Sequence, residues 1–333
     1  SISTVRNWLK ILGYSHGKTQ KGFLVTDTRK ARIREYLIDI HKARQKEKAG
    51  THIIVFTDES YINTGHVDGT SWFPTGENTS EHACHKGRRL IIVHAITKDG
   101  PLTAELIYPA GEKSTNDDYH KNMDADVFMK WIERRLEPAF KKMYWRDGVD
   151  GKPPFQPKMI LVMDNAAYHH GMEEGWNPPL TASKKDNLEV LRGLVDKKGD
   201  EVLDHVNEEL QHATHRILQA KDPTRLLSRA ARYFSDNQLG ELLFTPPYCP
   251  ALQPIELFWA FGKNYVAANF IAKRKLEDVY DMLREGLYGL GAEETNSAVA
   301  KMVRHSYDQV NKYIERDEVL EGDVDNLEEI PSD

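Results

Sequence analysis

Two apolar, β-branched stretches that each end in aspartate constrain the fold of this chain most strongly. The stretch "THIIVFTDES" loses its apolar character at Asp58, and "KMILVMD" ends at Asp164. Continuous apolar runs of this kind are typical of strands buried on both faces of a sheet. If the two strands are neighbours, both carboxylates leave the same edge of the sheet. One such aspartate alone often only caps a turn, so the pair carries the prediction.

Strands and helices alternate along the chain, which predicts an α/β domain. Further strands are predicted for "RLIIVHAIT" and "LTAELIYPA", joined by the turn "KDGP", and for "GELLFTPP". Residues 171–240 are polar and charged with a helical pattern, and we interpret them as an inserted helical subdomain. The other predicted helices cover residues 3–12, 27–48, 124–142 and 254–268, with two more in 273–316.

Charge is unevenly distributed along the 333 residues. The net charge is −6, yet residues 1–50 contain 12 Lys and Arg against 4 Asp and Glu, and residues 313–333 contain 1 against 9. A basic head on an acidic body indicates that the head meets an anion such as nucleic acid. The alternative is a basic helix that faces only solvent.

Composition narrows the cellular setting. There are only 2 cysteines, so a disulfide framework is not expected and a reducing, intracellular compartment fits, which would be the nucleus in a eukaryote. No window approaches the roughly 18 apolar residues of a membrane span, so no membrane partner is expected. The chain begins with Ser1 rather than Met, and we expect it to be a fragment that lacks its true N-terminus.

One glutamate lies among large apolar side chains in "LLFTPPYCPALQPIELFW". Two prolines end the apolar run, and Pro254 is expected to open a helix, because proline is tolerated at the first helical position. Glu256 then lies in the first helical turn. A carboxylate beside buried surface is unfavourable without a partner, so the sequence predicts a partner for Glu256.

Asp58, Asp164 and Glu256 together predict a divalent-metal site. Carboxylates that lie close together repel one another unless one takes a proton or a cation lies between them. An all-oxygen set favours a hard ion, so Mg²⁺ is expected and Mn²⁺ can substitute for it. Two ions about 3.5–4 Å apart would hold a phosphodiester for in-line displacement. The spacing alone does not prove that the three carboxylates converge.

Four segments in a fixed order resemble the DDE transposases of the Tc/mariner superfamily. They are "FTDESY", "GRRLIIVHA", "LVMDNAAYHH" and "PPYCPALQPIELFWAFGK". The resemblance covers roughly residues 51–268, and residues 3–48 more loosely. It implies a ribonuclease-H-like mixed sheet flanked by helices, with the helical insertion and an N-terminal helix-turn-helix remnant in addition. The implied enzyme is a homodimeric DNA transposase that cuts at terminal inverted repeats and joins the ends to target DNA, by analogy at TA.

The resemblance also implies roles for individual residues. Asp58, Asp164 and Glu256 are expected to be catalytic and to bind the metal. Asn165 and His169 are expected to contact these ligands rather than the metal itself. For His169 the alternative is a histidine at a helix N-terminus that is satisfied by the backbone.

DNA and a second subunit are implied partners. The loop 62–88 contains "SWFPTG", which resembles a motif that contacts the partner subunit, so Trp72 is expected at the interface; alternatively it packs on its own sheet. The cations that flank the edge strand are expected either to follow the DNA backbone or only to border that strand. Lys263 lies two helical turns after Glu256 and is expected to reach a DNA phosphate, or else is solvated. The DNA-binding set is Arg6, Lys10, Lys18, Lys21, Lys86, Arg88, Arg89 and Lys263.

The predicted organisation is a helix-turn-helix end with a basic linker (1–50), a catalytic domain (51–312) and an acidic tail (313–333). Two features depart from the family pattern. Ala251 and Gln253 replace an Asp and an Asn of the glutamate motif, and 91 residues separate Asp164 from Glu256. We expect altered hydrogen bonding in the loop but intact chemistry.

Two other functions fit less well. A domesticated, non-catalytic DNA-binding or chromatin protein would be expected to have lost an acidic ligand, and none is lost here. A ribonuclease-H-like nuclease without transposition is compatible with the fold, but the helix-turn-helix remnant and the glutamate motif argue against it.

Overall fold

The computed structural model describes residues 27–67, 86–110, 123–148, 153–171, 227–247 and 249–316. The strands are β1 (His52–Asn63), β2 (Arg89–Thr97), β3 (Gly100–Pro101), β4 (Leu106–Pro109), β5 (Lys158–Met163) and β6 (Gly240–Phe244). The helices are α1 (Asp27–Lys48), α2 (Ala125–Trp131), α3 (Glu137–Tyr144), α4 (Arg229–Asp236), α5 (Ile255–Ala268), α6 (Leu276–Tyr288) and α7 (Ala292–Arg316). A π-helical turn, Ile132–Leu136, joins α2 to α3, and 3₁₀ turns cover Ala167–His170 and Pro250–Leu252.

Several predicted features lie outside the described residues. They are the helix at 3–12 and its linker, most of the loop 62–88, most of the insertion 171–240 and residues 317–333 of the acidic tail. In the part of the chain that the structure describes, none of the helices combines the length and apolarity needed to cross a bilayer.

The six strands form one mixed sheet with the order β3-β2-β1-β5-β6, and β4 also pairs with β2. β1 runs antiparallel to β2 and parallel to β5, which in turn is parallel to β6. The two strands that carry the predicted aspartates are therefore direct neighbours, but β1 does not end at Asp58 as expected, because its pairing with β2 continues to Asn63. The predicted α/β fold with a mixed sheet flanked by helices is confirmed.

Side chains of the central strands alternate between two apolar cores, one on each face of the sheet. On the first face, Ile54 and Phe56 of β1 pack with residues of α1, α5, α6 and α7. On the second face, Ile53 and Val55 pack with residues of α2, α3 and α4. Phe234 of α4 belongs to this second core, so the last part of the segment 171–240 packs on the sheet.

The predicted strand "LTAELIYPA" is broken in the structure. The turn after β2 forms as predicted, but pairing stops after Pro101 and resumes only at Leu106. Between them, the carbonyl of Ala104 accepts a hydrogen bond of 2.7 Å from Trp131 Nε1. The carbonyl is thus satisfied by a helix side chain rather than by a neighbouring strand.

The predicted helix 124–142 contains an unforeseen π-helical turn. The helical segment begins at α2, where the Asp124 side chain accepts a hydrogen bond from Val127 N–H, and ends with α3 at Tyr144. The N–H of Glu137 bonds back to the carbonyl of Ile132, five residues earlier. Pro138 follows and has no N–H to donate, so the regular four-residue pattern cannot continue through this point.

Helices α5 and α6 pack closely because glycines lie at their contact. A Cβ atom at Gly262 would lie 2.6 Å from Leu287 Cδ2, and one at Gly286 would lie 2.7 Å from Tyr265 Cβ. Larger residues would force the helices apart. This contact fixes α5, the helix that begins with the predicted Glu256.

Arg274 links the start of the loop 62–88 to the end of α5. It is only 7% exposed. Its Nε donates to the carbonyl of Thr64 at 2.7 Å, its Nη1 donates to the carbonyl of Val266 at 2.8 Å, and its Nη2 donates to the carbonyl of His66. One buried guanidinium therefore joins the backbone after β1 to the backbone of α5.

A buried polar cluster joins α1 to α7 near the opposite end of β1. The carboxylate of Glu47 accepts hydrogen bonds from Ile54 N–H at 3.0 Å and from the Tyr307 hydroxyl at 3.2 Å. Arg44 Nη1 donates to Asn311 Oδ1 at 2.8 Å. These bonds satisfy polar groups that would otherwise be costly to bury.

Phe258→Ala should lower the free energy of unfolding by about 3–5 kcal/mol, because it removes a fully buried ring of α5 and leaves a cavity. Chemical denaturation measures this loss. The matched control is Leu257→Ala on the same helix, whose side chain is exposed and whose loss should change stability by less than about 1 kcal/mol. Equal losses for the two variants would contradict the placement of α5.

Candidate active site

The pairing of β1 with β5 brings the two predicted aspartates together. Phe56 is paired with Val162 in the parallel register, and the same offset two residues further on joins Asp58 to Asp164. Both lie at the carboxyl end of β5, the edge at which α/β sheets place their chemistry. Asp58 and Phe56 share one face of β1, and Asp164 and Val162 share the same face of the sheet.

Glu256 reaches this edge from the first turn of α5. The chain leaves β6, makes the 3₁₀ turn Pro250–Leu252 and enters α5 with Pro254 as the capping residue. The buried Gln253 side chain donates from Nε2 to Thr245 Oγ1 at 3.2 Å, which ties this turn to the end of β6. Glu256 itself is exposed. The loop therefore forms with Gln253 in the motif, while Ala251 is exposed and makes no such bond.

Three other carboxylates lie close enough to Asp58 to influence its charge. Burial raises the pKa of Asp58 well above its ordinary value, and the negative charges of Glu59, Glu256 and Asp164 raise it further. Four carboxyl groups therefore act on one small region. A divalent cation would relieve this repulsion, so the donor set fits the hard metal ion that the sequence predicts. The catalytic roles themselves stay a prediction.

His169 lies behind Asp164, as predicted, and is 2% exposed. Its Nδ1 donates to the Asp164 carbonyl at 3.0 Å and lies 3.1 Å from Asp164 Oδ1. Burial lowers the pKa of His169, but the bonds to Asp164 and Glu59 outweigh it and raise the value to about 9. The alternative of a purely backbone-satisfied histidine is therefore incomplete, because two carboxylates also contact the ring.

Asn165 points to a different partner. Its Oδ1 is hydrogen-bonded to His170 Nε2, and the His170 ring stacks on Phe244 with centroids 4.6 Å apart. Asn165 also lines a cavity of about 320 Å³ between α1 and the end of β6.

Two residues of the site were missed from the sequence. Glu59 and Tyr168 meet through a hydrogen bond from the tyrosine hydroxyl to Glu59 Oε2, and Glu59 Oε1 lies 3.6 Å from His169 Nε2. One oxygen or nitrogen from each of Glu59, Asp164 and His169 lies within 4.8 Å of the others. The available signal was the second acidic residue in "FTDESY", one position after Asp58.

Lys263 lies near the carboxylates. Its Nζ donates to Ser60 Oγ at 2.7 Å and lies 5.5 Å from the centre of the Tyr61 ring. Burial lowers the pKa of its ammonium group, and the charges of Glu256 and Asp58 oppose that shift. The solvated alternative is wrong, since the side chain is partly buried and bonded; the DNA contact stays a prediction.

Of the other residues predicted to contact DNA or the second subunit, three lie in the described part of the chain. Lys86 and Arg88 are exposed, whereas Arg89 is 9% exposed and stacks 4.3 Å from the centre of the Tyr61 ring. Arg89 Nε also donates to Asn63 Oδ1 at 3.4 Å, so it is held within the protein. Arg6, Lys10, Lys18, Lys21 and Trp72 lie outside the described residues.

Residues 53–176 match the family model described as "DDE superfamily endonuclease". This part of the chain is similar to DDE superfamily endonucleases. The matched span includes Asp58 and Asp164 and ends before Glu256. The place of Glu256 in the candidate site therefore rests on the geometry given above. This match agrees with the DDE part of the resemblance found in the sequence. No curated protein matches the chain.

Solved structures share the fold of this chain. The Mos1 strand transfer complex matches with a TM-score of 0.54 and 14% identity, over 93% of this chain and 69% of that chain. The mariner Mos1 paired-end complex with Mg matches with a TM-score of 0.53 and 16% identity, over 93% of this chain and 70% of that chain. The corresponding complex with Mn matches with a TM-score of 0.53 and 15% identity, over 95% of this chain and 72% of that chain. At these identities the likeness establishes the fold, including the predicted ribonuclease-H-like class.

Asp58→Asn should raise the melting temperature of the metal-free protein at neutral pH by a few degrees, where about 2–4 °C corresponds to 1 kcal/mol. The folded state holds a proton on Asp58 that the unfolded chain releases above its ordinary pKa of 3.8. Wild-type stability therefore falls as the pH rises above that value, and the asparagine removes this loss. Thermal melting in chelator from about pH 4 to pH 7 measures the difference.

The difference between Asp58→Asn and wild type should grow with pH across that range. Asp281→Asn, at an exposed position of α6, is the matched control and should shift melting little. If the metal-free Asp58→Asn protein melts at or below the wild-type temperature at pH 7, ionised Asp58 is not destabilised by burial and by its carboxylate neighbours.

Proposed function

We propose that this chain is a DNA transposase that cleaves DNA at terminal inverted repeats and transfers the ends into target DNA. The observation that carries the proposal is the meeting of Asp58, Asp164 and Glu256 at one edge of a DDE endonuclease domain. Burial raises the pKa of Asp58, and the charges of Glu59, Glu256 and Asp164 raise it further, as expected of carboxylates gathered to hold a divalent metal. The structures with the same fold include a strand transfer complex and paired-end complexes, which favours transposition over simple hydrolysis.

Divalent metal is the proposed cofactor, as two Mg²⁺ ions per site with Mn²⁺ able to replace them. Asp58, Asp164 and Glu256 would hold the ions through carboxylate oxygens, the ligands that Mg²⁺ prefers. The same-fold structures named with Mg and with Mn support this choice. When bound, such ions polarise the phosphodiester and lower the pKa of the attacking water.

The protein contributes orientation and charge to the reaction. In the first step water attacks the phosphorus and the bond to the 3′ oxygen breaks, which leaves a 3′-OH; in the second, that hydroxyl attacks a target phosphodiester and displaces another 3′ oxygen. Asp164 is held by His169 and by Ala166 N–H, which donates to Asp164 Oδ1 at 3.1 Å. Lys263 places an ammonium group beside Asp58 and Glu256, where a DNA phosphate would approach.

DNA binding is proposed to use local basic surfaces, since the chain as a whole carries a net charge of −6. The exposed Lys86 and Arg88 lie at the start of β2 and are suited to backbone contact. Arg89 is less suited because Tyr61 and Asn63 already engage it. A homodimer with Trp72 at its interface, a TA target and a nuclear location complete the proposal by family analogy.

No observation favours the domesticated, non-catalytic alternative. That protein would be expected to lack one of the three carboxylates or to hold them apart. All three are present, and the charge of each of the other two raises the pKa of Asp58.

Asp58→Asn, Asp164→Asn and Glu256→Gln should each lower the rate of metal-dependent cleavage by more than about 100-fold, beyond the usual cost of losing an outer-shell partner. The assay uses terminal-repeat DNA with Mg²⁺ or Mn²⁺ and follows nicking and strand transfer. Glu241→Gln is the control, since this glutamate is exposed and pairs with Lys46 and His52 at the opposite end of the sheet. Wild-type activity in Asp58→Asn and Glu256→Gln would refute the proposal.

Lys263→Gln should weaken DNA binding similarly for all sequences, because it removes one phosphate contact. The slope of log K against log salt concentration should become shallower by about 0.9. Glutamine can still bond Ser60, so the change isolates the charge. Fluorescence anisotropy over a series of salt concentrations measures the slope. The exposed Lys301→Gln serves as control, and an unchanged slope for Lys263→Gln would show that this lysine contacts no phosphate.

A further inference from the structure

Two neighbouring carboxylates leave β1 on opposite faces of the sheet. Asp58 lies on the face of the first core with Phe56, whereas Glu59 lies on the face of the second core with Val55. The sequence motif therefore delivers one carboxylate to the metal-facing side and one behind it. The proposed function uses Asp58 and leaves Glu59 without a role.

Glu59 is 5% exposed, and its two oxygens have distinct partners. Oε2 accepts the hydrogen bond from the Tyr168 hydroxyl, and Oε1 lies 3.6 Å from His169 Nε2. Tyr168 and His169 are consecutive residues of the 3₁₀ turn Ala167–His170, which follows Asp164 in the chain. Glu59 thus anchors that turn from the neighbouring strand.

The imidazole of His169 is fixed on all sides. Its ring centroid lies 4.4 Å from that of Phe128 and 4.3 Å from that of Tyr168. Its Nε2 faces Glu59, and its Nδ1 faces the Asp164 carbonyl and Asp164 Oδ1. With Ala166 N–H also donating to Oδ1, the rotation of the Asp164 carboxylate is restricted from behind.

We infer that Glu59 and Tyr168 are positioning residues for the proposed metal site. They hold His169, and His169 holds the carboxylate of Asp164 in the orientation that binds metal. The inference rests on the proposed function and deepens it by assigning support residues on the face of the sheet opposite the ions. Such support typically changes metal affinity by about 10–100-fold, because a ligand that must be ordered on binding costs free energy.

Packing alone does not account for Glu59. A buried ion pair is often no more stabilising than apolar residues of similar size, and an apolar core lies on this face of the sheet. The hydrogen bond of Glu59 to Tyr168 and its 3.6 Å approach to His169 Nε2 instead lead to a proposed metal ligand. Glu47 provides the contrast: it is also buried and bonded to a tyrosine, Tyr307, but it lies at the other end of β1.

The test is calorimetric titration of Mn²⁺ into the full chain after chelator treatment. Glu59→Ala should weaken Mn²⁺ binding about 10–100-fold, and Tyr168→Phe should weaken it in the same direction by a smaller factor. Glu59→Gln keeps the shape and an acceptor for Tyr168, so it should recover most of the affinity. Glu47→Ala and Tyr144→Phe are matched controls and should bind Mn²⁺ like the wild type.

Cleavage kinetics provide a second readout that a merely structural role would not produce. At limiting Mn²⁺ the kcat of Glu59→Ala should fall, excess Mn²⁺ should restore it, and KM for DNA should stay at the wild-type value. If Glu59→Ala does not fold, as judged by melting, Tyr168→Phe decides the question because it removes only one hydroxyl.

The outcomes separate this inference from the proposed function. Wild-type Mn²⁺ affinity in Glu59→Ala and Tyr168→Phe, or an equal loss in Glu47→Ala, would overturn the positioning role alone. Failure of the wild-type chain to bind Mn²⁺, with Asp164→Asn behaving identically, would overturn the metal centre and the inference together. Selective loss in the Glu59 and Tyr168 variants supports it.

Discussion

Repulsion among carboxylates at one edge of the sheet is the constraint on which the rest of this structure depends. Asp58 is held beside Glu59, Asp164 and Glu256, and burial adds to the cost of ionising it. Left to itself, such a cluster would favour a structure in which the groups separate. The fold keeps them together because each is attached to an element whose position is fixed by extensive apolar packing elsewhere. Part of the folding energy of both cores is thus used to maintain an unfavourable charge distribution.

The three attachments differ in kind. Asp58 and Asp164 are fixed by backbone pairing, since a slip of one residue between β1 and β5 would turn one carboxylate to the opposite face. Glu256 depends on packing between helices, in which Gly262 of α5 lets the α6 residue Leu287 approach closely. The strand pair is therefore the rigid part of the site. The third carboxylate, exposed on the first turn of a helix, is the part with most freedom.

Sequence reasoning succeeded where the signal is local and repeated. The apolar runs before Asp58 and Asp164 predicted two buried strands but left their pairing open, and the prolines before Glu256 predicted the start of α5 within one residue. It missed Glu59 because the partner of this residue, Tyr168, is 109 positions away, and no periodic pattern links them. It also missed the π-helical turn and the broken second strand of the hairpin. The turn results from a missing N–H at Pro138, and the break accompanies a side-chain bond from Trp131 to a carbonyl.

Arg274 gives the site a mechanical connection to the segment that follows β1. Its guanidinium binds the carbonyls of Thr64 and His66 on one side and that of Val266 on the other. Tension applied to the chain beyond Val67 would be transmitted to the C-terminal end of α5 before it could peel β1 from the sheet. A load on the loop is therefore felt first at the end of α5 opposite to Glu256, so that carboxylate is set apart from the anchored end by the length of the helix.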